Sequence, residues 1–329
     1  MRRFFLFCNV MKEKVSVLMS VKNEAKFIRE CVDSILAQTH QKWELLITDD
    51  HSTDNTAHIL EEYSKVDSRI KWKLNKKTGI IPALSQAYSL ANGDYITRMD
   101  GDDIMPVRKL EQLLNLLSSQ PPQTIATGKV QYFSDNEISK GYQSYENWLN
   151  DLCEHQNHAD WIYRECVIAS PNWLCRRETI DKIGGFNELK YPEDYDLVLK
   201  WHTHNCQFVA TTEVTHLWRD HPERTSRNSK VYEQKSFFEL KLPYFVRNFP
   251  NKHIYILGEG PKAKMTSRNL NQLEISHTNI INNKSSLSEL VPGAGVALLA
   301  VYPDTQSRFE IEEILRSKGY VLGENVFYV

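Results

Sequence analysis

From residue 15 onward, short apolar runs alternate with segments whose apolar residues repeat at helical spacing. The strand-like runs are 15–19, 45–48, 70–74 and 95–99, and the helical segments are 25–37, one through 59–63 after a polar cap at 52–54, 82–91 and 106–117. Strands that alternate with helices form a mostly parallel sheet covered by helices on both faces. The sequence therefore predicts an α/β fold of this kind.

Two of the predicted strands end in acidic residues. Asp49 and Asp50 follow the second strand, and Asp100, Asp102 and Asp103 follow the fourth. In open parallel sheets, ligands bind beyond the carboxyl ends of the strands. We therefore expect the functional site at this edge of the sheet.

The composition is that of an ordinary globular protein, with 41% hydrophobic and 25% charged residues among 329. The formal net charge of −2 provides no general attraction to nucleic acid, so no DNA partner is expected. The six cysteines form no CxxC motif and no zinc-like cluster with histidine. Reduced, buried thiols are therefore expected rather than a disulfide framework.

The first residues imitate a secretory leader, because Arg2 and Arg3 precede an apolar run that ends at Lys12. The run is far shorter than the roughly 20 residues that span a bilayer, and it lacks a convincing cleavage site. We expect residues 1–14 to be a dispensable extension, with Met11 as an alternative start. The expected location is the cytoplasm, with peripheral association at the inner face of the membrane as an alternative.

A second domain is expected after a break at 249–251, where the chain restarts with a strand-like run. The predicted domains are 15–249 and a small Rossmann-like domain over 250–329. Its Gly258-Glu259-Gly260-Pro261 turn lacks the third glycine of a dinucleotide-binding loop, and Pro261 removes an amide. A module for acceptor recognition or homo-oligomer formation is therefore expected here rather than a cofactor site.

Asp100-Gly101-Asp102 suits a divalent cation such as Mg²⁺ or Mn²⁺. These ions prefer oxygen ligands, and one or two carboxylates leave coordination positions for a diphosphate. The alternative is a solvated turn, and Arg98 either neutralises part of the cluster or faces outward from its strand. For Asp50, the alternatives are a hydrogen bond from the imino group of a base and a plain strand–turn–helix junction.

Three segments in order resemble the family 2 nucleotide-sugar glycosyltransferases of GT-A fold. They are residues 15–56, residues 79–103 ending in DGDD, and GGFNELKYPEDYDL at 184–197, and the resemblance extends to about residue 227. It implies an inverting, metal-dependent transferase that moves a hexosyl or N-acetylhexosaminyl group from a nucleotide sugar, with a UDP-sugar as the expected donor. The implied acceptor is a glycan or lipid-linked glycan of a surface polysaccharide, and the implied cofactor is Mn²⁺ or Mg²⁺.

The resemblance also implies roles for the residues at the sheet edge. Ser20, Lys22 and Asp50 would lie along the uridine, with Asp50 facing the uracil. Asp100 would contact the ribose or diphosphate, and Asp102 would coordinate the metal. The next aspartate receives no role from the resemblance.

Glu193 and Asp194 match the position of the catalytic base, and Asp194 is the expected base with Glu193 as a substrate-binding neighbour. A carboxylate there takes a proton from the acceptor hydroxyl as it attacks the anomeric carbon, which is worth about 10²–10⁴-fold in rate. The alternative is that both acids stabilise a helix N-terminus through its macrodipole.

A segment resembling R-x-H-P…S follows the base region. By the resemblance, His221 contacts the metal or diphosphate, and Arg219 and Arg227 close over the phosphates. A loop or core histidine is the alternative for His221. Trp173 is expected either in the acceptor wall or in the core, and the sequence leaves that choice open.

Two further functions remain as alternatives. The transferase followed by a short "IYILGEGPKAK" module loosely resembles the queuosine-tRNA galactosyltransferase-like proteins, which implies glycosylation of a modified tRNA nucleoside. The other is a catalytically silent nucleotide-sugar-binding scaffold. The presence of Asp50, Asp102 and Asp194 argues against that scaffold.

Overall fold

The computed structural model describes residues 13–187, 189–280, 287, 290, 295–300 and 305–329. They form two compact units that interleave along the chain. The first contains the residues through Gln156, Ile168–Leu189 and His204–Arg224; the second contains Asn157–Val167, Lys190–Thr203 and Thr225–Val329. The predicted bounds of 15–249 and 250–329 stay a prediction, and these packing units divide the chain at other points.

The first unit is built on a seven-stranded sheet of order β3-β2-β1-β4-β6-β5-β7. Its strands are β1 (Val15–Val21), β2 (Trp43–Asp49), β3 (Ile70–Leu74), β4 (Tyr95–Arg98), β5 (Thr124–Phe133), β6 (Trp173–Arg176) and β7 (Gln207–Arg219). Its helices are α1 (Ile28–Leu36), α2 (Thr56–Val66), α3 (Ile80–Leu90), α4 (Lys109–Leu117), α5 (Lys140–His155) and α6 (Arg177–Lys182). Only β6 runs antiparallel to its neighbours within this sheet. The predicted mostly parallel α/β sheet is confirmed.

The core of this unit follows from the apolar patterns of its elements. Strand β2 is buried along its whole length, as expected for a parallel strand with both faces covered. Helix α1 buries Ile28, Cys31, Val32 and Ile35, which form one helical stripe facing the core. The apolar runs of the sequence therefore form the strands of the sheet, and the segments with helical spacing form the helices packed on it.

Several element bounds differ from those predicted. Helix α3 begins at Ile80 instead of Pro82, because Gly79 caps it with a φ of 107° that other residues rarely adopt. Helix α5 begins at Lys140 instead of near Tyr145, because the side chain of Ser139 accepts the amide of Tyr142 and caps the helix.

The second unit contains a four-stranded parallel sheet of order β11-β10-β8-β9. Its elements are α7 (Glu193–Thr203), α8 (Thr225–Asn228), α9 (Gln234–Asn248), β8 (His253–Leu257), α10 (Pro261–Gln272), β9 (His277–Ile280), β10 (Gly295–Leu299), α11 (Thr305–Ser317) and β11 (Val326–Tyr328). Residues before 250 join it through aromatic contacts: Trp161 stacks on Tyr328 with ring centroids 4.9 Å apart, and Tyr163 meets Phe327 edge to face.

The five cysteines within the described residues are buried and carry free thiols, as predicted. Cys8, Met11 and nearly all of the predicted N-terminal extension lie outside the described residues. Among the helices that the structure describes, none has the length and apolar character that a membrane crossing requires.

Candidate active site

Strands β1, β2 and β4 bring their carboxyl ends to one edge of the first unit's sheet. Strand β1 lies between β2 and β4 and pairs in parallel with both. Beyond the paired strands, the amide of Asp50 donates to the carbonyl of Val21 at 2.8 Å, and the amide of Met99 donates to that of Leu18 at 2.9 Å. The acidic residues that follow β2 and β4 therefore emerge at the edge where a ligand is expected.

Asp50 is buried and its carboxylate is held by two donors. Its Oδ1 accepts the side-chain amide of Asn75 at 2.7 Å and the backbone amide of Gly79 at 2.9 Å. Its Oδ2 lies 3.7 Å from Nζ of Lys22, whose side chain is 53% exposed. One oxygen of Asp50 is thus fixed by the protein, and the other lies beside an accessible cation. The sequence reasoning missed Asn75, although Gly79 opens one of the family-like segments.

The polar run after β2 ties two loops together. The amide of Asn23 donates to Oγ of Ser52 at 2.8 Å, and the amide of Thr53 donates back to Oδ1 of Asn23 at 2.7 Å. The amide of Glu24 donates to Oγ1 of Thr56 at 2.8 Å. These bonds fix the loop after β1 against the loop after β2. Ser20 lies between β1's buried positions and pairs with Thr48 of β2.

The acidic turn after β4 is held from both sides. Nε of the buried Arg98 donates to Oδ1 of Asp100 at 2.8 Å, so Arg98 neutralises part of the cluster, one of its two predicted alternatives. Nε2 of His221 lies 3.0 Å from Oδ2 of Asp102. The structure therefore pairs Asp102 with His221, the two residues predicted as metal ligands.

Arg219 supports the same turn through its guanidinium. Its Nε donates to the backbone carbonyl of Asp102 at 2.6 Å, and another of its nitrogens contacts Glu30 at 2.5 Å. The guanidinium lies 4.7 Å from the ring centroid of Phe27 and 4.4 Å from that of Phe133. Arg219 thus positions the turn, and its contact with phosphates stays a prediction.

Glu24 contributes a further carboxylate that the sequence reasoning did not assign. Burial, and after it the negative charges of Asp102 and Asp100, together raise its pKa to about 8. Gly101 permits this proximity, since a Cβ on it would lie 3.3 Å from Cγ of Glu24. Glu24 thus lies close to the carboxylates of the acidic turn.

These residues fit a divalent cation in chemistry. The oxygens of Asp102 and Asp100 and the imidazole of His221 are suitable donors for Mn²⁺ or Mg²⁺. The raised pKa of Glu24 reflects burial first and then repulsion from Asp102 and Asp100, and a cation would relieve that repulsion. Within the described part of the chain, no three His, Cys, Asp or Glu side chains converge as a complete ligand set.

The predicted base region lies at the start of α7 in the second unit. Glu193 is buried and accepts the hydroxyl of Tyr232 at 2.6 Å, and Asp196 is buried and accepts that of Tyr244 at 2.8 Å. Asp194 is half-buried, and its Oδ1 accepts the amide of the next residue at 2.8 Å. Its carboxylate is the most accessible of the three, although all three also suit a helix N-terminus.

The remaining predicted residues lie elsewhere. Trp173 is 2% exposed in β6, and its indole nitrogen donates to the carbonyl of Ser170 at 2.8 Å, which favours the core alternative. Arg227 lies in α8. The predicted site residues are thus divided between the first unit, with the acidic edge and His221, and the second, with Asp194 and Arg227.

The model of the glycosyl transferase family 2 matches residues 16–184, just over half of the chain. The chain therefore belongs to glycosyl transferase family 2, as its motifs predicted. The match includes the whole acidic edge except the segment around His221.

Curated relatives agree with this family. The glycosyltransferase GlyG of Streptococcus pneumoniae is 26% identical over 195 residues, covering 56% of this chain and 64% of the relative. An uncharacterized glycosyltransferase of Haemophilus influenzae is 31% identical over 191 residues, covering 55% of this chain and 58% of the relative. The alignments thus span less than two thirds of either relative.

Solved structures show the same fold. Residues 1–349 of S. aureus TarS in complex with UDP-GlcNAc match with a TM-score of 0.54 at 15% identity, covering 80% of this chain and 73% of that one. The mannosyltransferase PcManGT of Pyrobaculum calidifontis, in complex with GDP-Man and Mn²⁺, matches with a TM-score of 0.52 at 15% identity, covering 82% of this chain and 76% of that one. The chain has the GT-A fold, as predicted.

Proposed function

We propose that this protein is an inverting, metal-dependent glycosyltransferase whose donor is a UDP-sugar. The observation that carries the proposal is the edge of the first sheet, where Asp50 is fixed beside Lys22 and Asp102 is paired with His221. Similar folds binding UDP-GlcNAc, and GDP-Man with Mn²⁺, support a nucleotide-sugar donor. UDP is preferred because a carboxylate with one fixed oxygen suits the imino group of uracil.

The contacts of these residues support the following donor site. Asp50 would accept the base imino proton on Oδ2, with Lys22 and Ser20 along the nucleoside. Asp100, held by Arg98, would contact the ribose or diphosphate. Asp102 and His221 would hold Mn²⁺ or Mg²⁺, which as a Lewis acid stabilises the charge that develops on the leaving diphosphate.

Asp194 is proposed as the general base. Its carboxylate takes the proton of the acceptor hydroxyl while that oxygen forms a bond to the anomeric carbon, and the bond from this carbon to the diphosphate oxygen breaks. The nucleoside diphosphate leaves with the bonding electrons, and a single displacement inverts the anomeric centre. Asp194 is half-buried whereas Glu193 is buried, and this difference in exposure supports Asp194 as the base and Glu193 as its neighbour.

The proposed acceptor is a hydroxyl of a glycan or lipid-linked glycan in polysaccharide biosynthesis, with peripheral membrane association and a cytoplasmic location as parts of the same proposal. The family membership supports transfer of a sugar, and the acceptor class is taken from the resemblance of the motifs.

Calorimetric titration of UDP tests the donor site. UDP is expected to bind in the presence of Mn²⁺ and more weakly in the presence of a chelator. Binding of GDP or dTDP in place of UDP would replace the proposed donor. Failure of all three nucleotides would favour the silent scaffold, and RNA retained by the purified protein, seen in its ultraviolet absorbance, would favour the tRNA alternative.

A further inference from the structure

A buried ionisable pair lies directly behind the acidic turn. Asp103 is 1% exposed and His216 is fully buried, and Oδ2 of Asp103 lies 2.9 Å from Nε2 of His216. The two side chains therefore pair with each other inside the protein, out of contact with solvent. Nδ1 of His216 is also buried, and no described residue offers it a hydrogen bond.

The same aspartate joins the turn to β7. Its second oxygen, Oδ1, accepts the backbone amide of Arg219 at 2.8 Å. The next residue, Ile104, exchanges two backbone hydrogen bonds with Leu217 of β7, each at 3.1 Å. The end of β7 then leads to His221, which reaches Asp102. The position of Asp102 relative to His221 thus depends on how the turn is fastened to β7.

A buried lysine completes this arrangement. Lys109 of α4 is fully buried, and its Nζ donates to the carbonyl of Pro171 at 2.7 Å. Burial lowers its pKa to about 7, and the carboxylates of Asp103 and Asp100 oppose that change. Buried ionisable groups cost stability unless they are paired. Here Asp103 and His216 are paired, and even a paired set of buried ionisable groups adds little to stability compared with apolar side chains, which points to a requirement other than stability.

We infer that Asp103 and His216 are positioning residues that hold Asp102 and His221 in the geometry needed by the cation and the donor diphosphate. The inference rests on the proposed function of this edge. Neither residue is exposed to a ligand, so both act through Asp102 and the end of β7. Groups that orient metal ligands in this way commonly contribute about tenfold to a hundredfold to metal affinity.

The test compares UDP affinity with Mn²⁺ and with a chelator in four variants. Asp103→Asn and His216→Leu each remove the pairing, and their double variant tests whether the two act as a unit. Ser16→Ala is the matched control: Ser16 is equally buried, and its Oγ bonds Glu44 at 2.7 Å and the amide of Gly93 at 2.9 Å, at the opposite end of β1. Thermal unfolding of each variant reports its stability.

We expect Asp103→Asn and His216→Leu to reduce the Mn²⁺-dependent gain in UDP affinity about tenfold to a hundredfold. Affinity in chelator should remain that of the wild type. The double variant should lose no more than the larger single loss, because the pair acts as one unit. Ser16→Ala should unfold at a lower temperature yet keep the full gain. If one single variant does not fold, the other carries the comparison.

Two results would overturn the inference in distinguishable ways. If both single variants fold and Mn²⁺ increases their UDP affinity as much as it does in the wild type, the positioning role alone is wrong. Absence of any Mn²⁺-dependent UDP binding by the wild type would overturn the proposed function, and the inference with it.

Discussion

Both units contain a mostly or fully parallel sheet, yet the strand ends of the two sheets differ in chemistry. In the first, the chain leaves β2 and β4 through aspartates held by buried partners, as Asp50 is by Asn75. In the second, β8 leads into Gly258, whose amide is already bonded to the carbonyl of Ile280 at 3.0 Å, and α10 begins at Pro261, which has no amide hydrogen. The fold therefore creates the edge, and the residues at the strand ends decide what it can bind.

The cavity of the second unit illustrates the difference. It has a volume of about 730 Å³, which is sufficient for a small ligand, and Gly258 and Glu259 line it. The charged residues of α10 that face it, Lys264 and Arg268, are exposed. Polar groups fixed by buried partners are preorganised for a ligand, whereas exposed side chains must be ordered on binding.

The largest expected effect concerns the proposed base. Asp194→Asn should lower the turnover of the UDP-sugar by about 10²–10⁴-fold while UDP affinity is retained, because the amide cannot accept the proton. Sugar transfer from the donor identified by titration is the measurement. Unchanged turnover in Asp194→Asn would contradict its assignment as the base.

Glu193→Gln is the matched control for that variant. Its side chain can still accept the hydroxyl of Tyr232, and it retains the size of the original residue. It should lose much less turnover than Asp194→Asn. An equal loss would mean that the start of α7 matters as a whole and that Asp194 has no special role.

The two strand ends can be compared directly by changing one acid in each. Asp50→Asn should weaken UDP binding by about tenfold to a hundredfold. The amide group that replaces the oxygen cannot accept the imino proton, so the imino group of the base is left without an acceptor at a buried position. Glu259→Gln, at the end of β8, should leave UDP affinity unchanged. Calorimetry measures the UDP affinity of both variants. Equal losses of affinity would show that the two strand ends do not differ in nucleotide binding.

The sequence predicted the sheet edge better than it predicted the groups that support it. Apolar periods and the acidic residues after β2 and β4 were sufficient to place Asp50 and Asp102, because strand ends are local features. Asn75, His216 and Lys109 were missed, because each meets its partner across a long stretch of chain, 113 residues in the case of His216 and Asp103. Such contacts leave no periodic signal in a single sequence.

Buried lysines extend the comparison to stability. Lys241 in the second unit has a pKa lowered to about 7 by burial, from 10.5 when unfolded. The unfolded chain therefore binds more protons between these values, and the free energy of unfolding rises with pH. Lys241→Met removes the cost of burying this amine. Relative to the wild type, the variant should therefore gain about 1–2 kcal/mol more free energy of unfolding at about pH 7 than at about pH 9. Denaturant unfolding at both pH values is the measurement.

Lys109→Met provides the contrast in the first unit. Lys109 has the same lowered pKa, but two carboxylates, Asp103 and Asp100, act on it, whereas Lys241 is acted on by the carboxylate of Glu165 and by the like charge of Lys262. Replacing Lys109 by methionine removes a positive charge near the buried Asp103, so this variant should have a lower free energy of unfolding than the wild type. If both variants gained a similar free energy of unfolding, the neighbouring carboxylates would not distinguish Lys109 from Lys241, and the contrast would be wrong.

Two glycines, one in each unit, extend the comparison to backbone conformation. Gly79 has a φ of 107° and Gly258 a φ of 135°, so alanine at either position should cost about 1–3 kcal/mol of unfolding free energy through backbone strain. Only Gly79 donates its amide to a site residue, at 2.9 Å from Asp50. Gly79→Ala should therefore also weaken UDP binding, whereas Gly258→Ala should lose the same stability with UDP affinity intact. Equal UDP affinity in the two variants would mean that the backbone around Asp50 adapts to strain, and that its fixed oxygen contributes little to donor binding.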